Sequence, residues 1–124
     1  MENNDFTQQF DPNDIEQNKV LALFSYLGIL FLIPLLAAPN SQYARFHTNQ
    51  GIVLFIADIV LGIVIGVVSV LLTLIGGFAG IAIAGVISGL IGLCIFIFVI
   101  LGIVNAVTGK AKELPVIGKI RILK

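Results

Sequence analysis

GIVLFIADIVLGIVIGVVSVLLTLIGGFAGIAIAGVISGLIGLCIFIFVILGIVNAV, residues Gly51–Val107, contains one acid, Asp58, and no base. A helix that crosses the hydrocarbon core of a bilayer needs about 20 apolar residues. The run holds two such helices and a turn; three helices of about 18 residues would leave almost nothing for two turns. Gly76-Gly77, followed by Phe78, marks the turn, because paired glycines accept positive φ. Backbone amides find no water in lipid, so helix is the form this run must take. Spans are therefore expected at about 51–75 and 79–107.

Upstream, Val20 to Ala38 is a further apolar run, closed by Pro39-Asn40-Ser41. It reads as a span at about 20–38, which Pro34 should loosen or kink. Of the 124 residues, 58% are hydrophobic and 11% charged, with mean hydropathy +1.08. Soluble domains carry about 25% charged residues and need them to cover their surface. The expected fold class is an all-α integral membrane protein. It has three transmembrane helices and an interfacial helical turn before the second.

The charges collect at the two ends. Residues 1–18 hold Glu2, Asp5, Asp11, Asp14 and Glu16, and with their Asn and Gln they read as an acidic disordered leader. They lack the basic start of a signal peptide, so the first apolar run reads as retained. The membrane domain is placed at 19–109 and a basic membrane-surface tail at 110–124, with Lys110, Lys112, Lys119, Arg121 and Lys124. Bases on this tail attract anionic lipid headgroups, and their spacing among aliphatics favours lipid over nucleic acid. With three spans, the positive-inside rule places the N-terminus outside and the C-terminus in the cytoplasm. Cys94 has no partner in the chain and counts as a small apolar residue.

Helices in lipid associate through small residues. Gly80, Ala84, Ser88 and Gly92 recur at steps of four after Gly76, and Gly62 and Gly66 follow Asp58 on one face of the preceding helix. These two faces are expected to pack within the chain, with a G-x-x-x-G contact between two copies as the alternative. Asp58 must face protein or water, pair, or be protonated. It is either a proton or cation site, or an acid hydrogen-bonded to Asn105 or Thr108 or paired with a base such as Arg45.

The segment YARFHTNQG, Tyr43–Gly51, contains the chain's only histidine. A helix capped by Asn40 or Ser41 would place His47, Gln50, Leu54 and Asp58 on one face. Tyr43, Arg45 and Phe46 suit a headgroup-level turn. No second His and no clustered acids accompany His47, so no metal site or other cofactor is expected. Thr48 is the only nearby candidate nucleophile and no acid orients the ring, so no enzyme is expected either.

The elements NKVLALFSYLGIL (18–30), ARFHTNQG (44–51) and AKELPVIGKIRIL (111–123) give the chain a family resemblance. It resembles a small uncharacterised prokaryotic membrane-protein family with an F-H-x-x-Q motif, here Phe46, His47 and Gln50. That family is distantly similar to the twenty-kilodalton component of the chloroplast inner-envelope import translocon. The resemblance implies a link to protein translocation or membrane-complex assembly. The expected function is an interaction or accessory subunit that meets the lipid bilayer and either a membrane-protein partner or a second copy. An oligomeric pore or carrier with Asp58 in its path is the alternative.

Overall fold

A computed structural model describes residues 4–123. All its regular elements are helical: α1 (Pro12–Leu23), α2 (Leu32–Ala37) and α3 (Gln42–Val107), with short 3-10 turns at Thr7–Gln9, Phe24–Tyr26 and Gly28–Phe31. No strand occurs among the described residues, only an isolated bridge between Asp5 and Lys112.

The acidic start is not a disordered leader over its described residues. Asp11 caps α1 by accepting from the Asn13 amide at 2.9 Å, and Pro12 supplies the fixed φ of a first helical position. The Phe6 amide donates to the Ala111 carbonyl and the Glu113 amide to the Asn4 carbonyl, both at 2.8 Å. These bonds hold the start of the chain beside its tail.

The expected span at 20–38 is not one helix. Gly28 takes φ +61, a left-handed conformation that ends the helical ladder, and Pro34 has no N–H to give the residue four before it. What remains of the apolar run in α-helix is the six residues of α2, about 9 Å of rise against a core of about 30 Å. Only α3 is long and apolar enough to cross a membrane among the described residues. Gly77 breaks it (φ 56, ψ −130) at the expected turn, leaving one arm of residues 42–76 and another of 78–107.

Two units can be distinguished, residues 56–97 and the rest. In the first, the arms run antiparallel from the Gly77 break. A side chain at Gly80 would meet the Leu72 carbonyl oxygen, and Ala84 is buried across from Val68 and Ser69. Gly62, Gly66 and Gly92 face open space, and Ser88 is half-buried, so only part of the expected small-residue packing forms. The contact row of the first arm runs through Val64, Val68 and Leu72. Gly62 and Gly66 lie two residues off it, about 200° round the helix.

The second unit is built on Ala22, Tyr26, Tyr43, Leu54, Ala106, Ala111 and Leu114. Two glycines bring its elements together. A Cβ at Gly51 would lie 1.8 Å from the Ser25 carbonyl oxygen, and one at Gly102 would lie 2.4 Å from the Tyr26 ring.

Candidate functional site: the polar cap

The start of α3 is tied to α1 by a carboxylate. Ser41 caps α3 by accepting from the Ala44 amide at 3.0 Å and donates its own proton to Asp14, whose second oxygen accepts from the Tyr43 amide at 3.0 Å. An anion here also meets the positive end of the helix dipole. Asp14 belongs to the stretch read as leader, so its role was not visible in the sequence.

His47, Gln50 and Leu54 share one face of α3, as their spacing requires, and all three are buried. Nε2 of His47 faces the Lys110 carbonyl oxygen at 2.9 Å and Nδ1 faces the Tyr26 hydroxyl at 2.5 Å. A carbonyl only accepts, so Nε2 carries the proton, Nδ1 accepts, and the tyrosine donates. Burial pushes the imidazole pKa down to about 4, partly opposed by the bond to Lys110. The ring is therefore neutral, with both nitrogens occupied. Tyr43 packs edge-on against it at 4.8 Å between centroids and donates to the Ala106 carbonyl at 2.8 Å, an oxygen at the end of α3 that also accepts from the Gly109 amide. Burial raises the Tyr43 phenol above its usual range.

Gln50 and the neighbouring Asn49 hold the tail by its backbone. The Gln50 amide donates to the Gly118 carbonyl and accepts from the Leu114 amide, both at 2.9 Å. Asn49 donates to the Ile120 carbonyl at 2.8 Å and accepts from the Ile122 and Leu123 amides. The tail is thus a segment folded on α3. Two amide side chains do the pairing that a neighbouring strand would do.

The basic residues divide accordingly. Glu113, only 5% exposed, accepts from Arg121 at 2.5 Å and lies 3.7 Å from Lys119. The Arg121 guanidinium also sits 5.6 Å from the Phe46 ring centroid and 6.0 Å from that of Phe6. Lys110 is exposed, Lys112 and Arg45 are half-buried and engaged within the chain, and Lys124 lies outside the described residues. At the other end of the cap, Asp5 is held below the usual carboxylate range, chiefly by hydrogen bonds from the Thr7 hydroxyl and amide.

Asp58 and Asn105 are not joined by any hydrogen bond seen among the described residues. The Asp58 Oδ1 atom is buried without a partner, and the Thr108 hydroxyl turns to the Val104 carbonyl at 2.6 Å. The described residues contain no group of three or more His, Cys, Asp or Glu side chains able to hold a metal ion.

One long apolar helix broken at a glycine, with helices as the only regular elements among the described residues, defines a small all-helical membrane-associated protein. The chain belongs to the MamF/MmsF family, described as the magnetosome magnetite crystal formation protein family, whose profile matches residues 17–123. It is similar to the magnetosome protein MmsF of Paramagnetospirillum magneticum strain AMB-1, 32% identical over 98 residues, which is 79% of each chain. Shorter stretches match the magnetosome protein MamF of the same organism, 47% identical over 36 residues, and MamF of Magnetospirillum gryphiswaldense strain MSR-1, 45% over 40 residues. Those stretches cover 29% and 32% of this chain, and 32% and 36% of the MamF proteins. No solved structure matches the chain.

This membership overturns the expected kinship with the chloroplast import translocon. The family matched across nearly the whole chain is a magnetosome family, and nothing found points to a translocon component. The inferred link to protein translocation falls with it.

Proposed function

We propose that this chain is a membrane-inserted accessory protein of a magnetite-forming compartment, acting by contact with the membrane and its partners and without catalysis. The observation that carries the reading is the family match over residues 17–123, which takes in both the cap and the hairpin. The apolar parts of the two arms of α3, residues 51–76 and 78–107, cross the bilayer, each being longer than the roughly 20 residues a span needs. The broken run through α2 is too short in helix to cross. Both chain ends then share a face, and Arg45 with the tail bases makes it the cytoplasmic one. The saturated His47 ring and the donor set of the cap support a structural part for the F-H-x-x-Q residues.

The test is complementation. A Paramagnetospirillum magneticum strain lacking its MmsF would receive this gene, and crystal dimensions would be measured by electron microscopy. Restored dimensions support the role; dimensions that stay at those of the deletion strain sink it. Fluorescent-protein fusions at both ends should be bright, and a dark N-terminal fusion beside a bright C-terminal one would overturn the two-crossing arrangement.

A second reading keeps one observation in its favour. The unpartnered Asp58 Oδ1 supports an oligomeric pore or carrier with this acid in the path. Solute flux into liposomes that Asp58→Asn abolishes would favour it over the accessory role.

A further inference from the structure

Beside the start of α3 lies a cavity of about 540 Å³ whose lining includes Phe10, Asn40, Gln42, Arg45, Phe46 and Arg121. Its size falls in the range of small-ligand sites. The lining is of two kinds. Arg45, Arg121, Asn40 and Gln42 offer N–H donors, while the two phenylalanines offer apolar surface. Among the described residues, no carboxylate lines it. Among the described acids, Asp14 is used on the α3 N-terminus, and Glu113 sits between Arg121 and Lys119, two bases against one acid.

We infer that this cavity is a binding site for the phosphate-bearing headgroup of an anionic phospholipid. A guanidinium presents five donors in a planar fork that suits phosphate oxygens, and both Arg45 and Arg121 line the cavity; Arg121 spends one donor on the Gly118 carbonyl and one on Glu113. The mixed lining fits an amphipathic molecule, with the phosphate against the guanidiniums and the glycerol and first acyl carbons against Phe10 and Phe46. The location agrees. Asn40 and Gln42 follow the apolar α2 and precede the apolar part of α3, which is headgroup depth if α3 crosses the bilayer. The inference rests on the membrane-inserted reading for that placement. It also gives the Arg121–Phe46 stack a purpose: the ring orients the guanidinium toward the cavity while Glu113 anchors it from behind.

The full chain, purified in mild detergent, would be titrated with dioctanoyl phosphatidylglycerol, dioctanoyl phosphatidylcholine and inorganic phosphate, and bound lipid counted by native mass spectrometry. The anionic lipid should be retained at about tenfold lower concentration than the zwitterionic one, and Arg45→Gln should bring the two within about twofold. Arg45→Lys, which keeps the charge but not the fork, should recover part of the preference. Lys110→Gln, outside the cavity, should leave it unchanged. Equal retention of the two lipids by the native chain overturns the site. So does an equal loss on Lys110→Gln, which would show diffuse attraction, or displacement of the lipid by inorganic phosphate at equal concentration, which would show a free-phosphate site. Carbonate extraction of cell membranes reads the insertion separately. Release of the protein there counts against insertion while the detergent titration still scores the cavity.

Discussion

The Tyr26 hydroxyl lies 2.5 Å from Nδ1 of His47, and the other ring nitrogen lies 2.9 Å from the Lys110 carbonyl. One neutral imidazole thus joins the broken first apolar run, the start of α3 and the start of the tail. The folded ring, with its pKa near 4, resists a proton that the unfolded chain accepts near 6.5. Stability contributed by this site is therefore complete above pH 6.5 and is lost as pH falls toward 4, by on the order of 3 kcal/mol. Thermal unfolding in detergent between pH 7 and 4 measures it. His47→Leu should be less stable at pH 7, since it strands the hydroxyl and the carbonyl, and should lack this part of the pH slope. An undiminished slope in the variant would refute the assignment.

Gln50→Ala should release the tail. The substitution leaves the Leu114 amide unpaired in a buried place, at about 1–3 kcal/mol, while the Gly118 carbonyl keeps its bond from Arg121. Hydrogen exchange at the Leu114 amide should accelerate, and trypsin should cut at Lys119 and Arg121 sooner than in the native chain. Unchanged protection at Leu114 would show that the tail is held by its apolar contacts instead.

The Gly77 break and the shared face of His47, Gln50 and Leu54 could be read from the sequence, because each follows from local periodicity or from glycine's backbone freedom. The first apolar run could not. Hydropathy counts Val20 to Ala38 as a span, but the decision between one helix and several pieces is made at Gly28 by a left-handed φ. Non-local bonds were equally hidden. Asp14 lies in a polar stretch of ordinary composition, and only the fold brings it to Ser41 and Tyr43. The tail bases show the same limit, since composition does not reveal that Glu113 pairs with Arg121 and Lys119 within the chain.

Asp14→Ala should unpin the start of α3 from α1. It removes the acceptor of both the Ser41 hydroxyl and the Tyr43 amide, and capping carboxylates are worth about 0.5–2 kcal/mol. Asp14→Asn, which keeps one acceptor oxygen but no charge, should lose less. Chemical denaturation of the two variants orders them. A result in which both match the native chain would mean that Ser41 caps the helix without help.

The two glycine sets of α3 should respond to alanine in opposite directions. A methyl at Gly80 would sit 1.8 Å from the Leu72 carbonyl oxygen, which belongs to backbone and cannot swing aside. The arms must separate to admit it, and Gly80→Ala should cost about 1–3 kcal/mol or more. At Gly62 and Gly66 the same methyl meets nothing within 4 Å, so the substitution gains helix propensity, about 0.5–1 kcal/mol in an exposed helix. Unfolding in rising SDS, followed by circular dichroism, compares them directly. Destabilisation at Gly62 equal to that at Gly80 would mean that a second helix covers the Gly62–Gly66 face in the assembled protein, because none of the described residues comes within 4 Å of the added methyl.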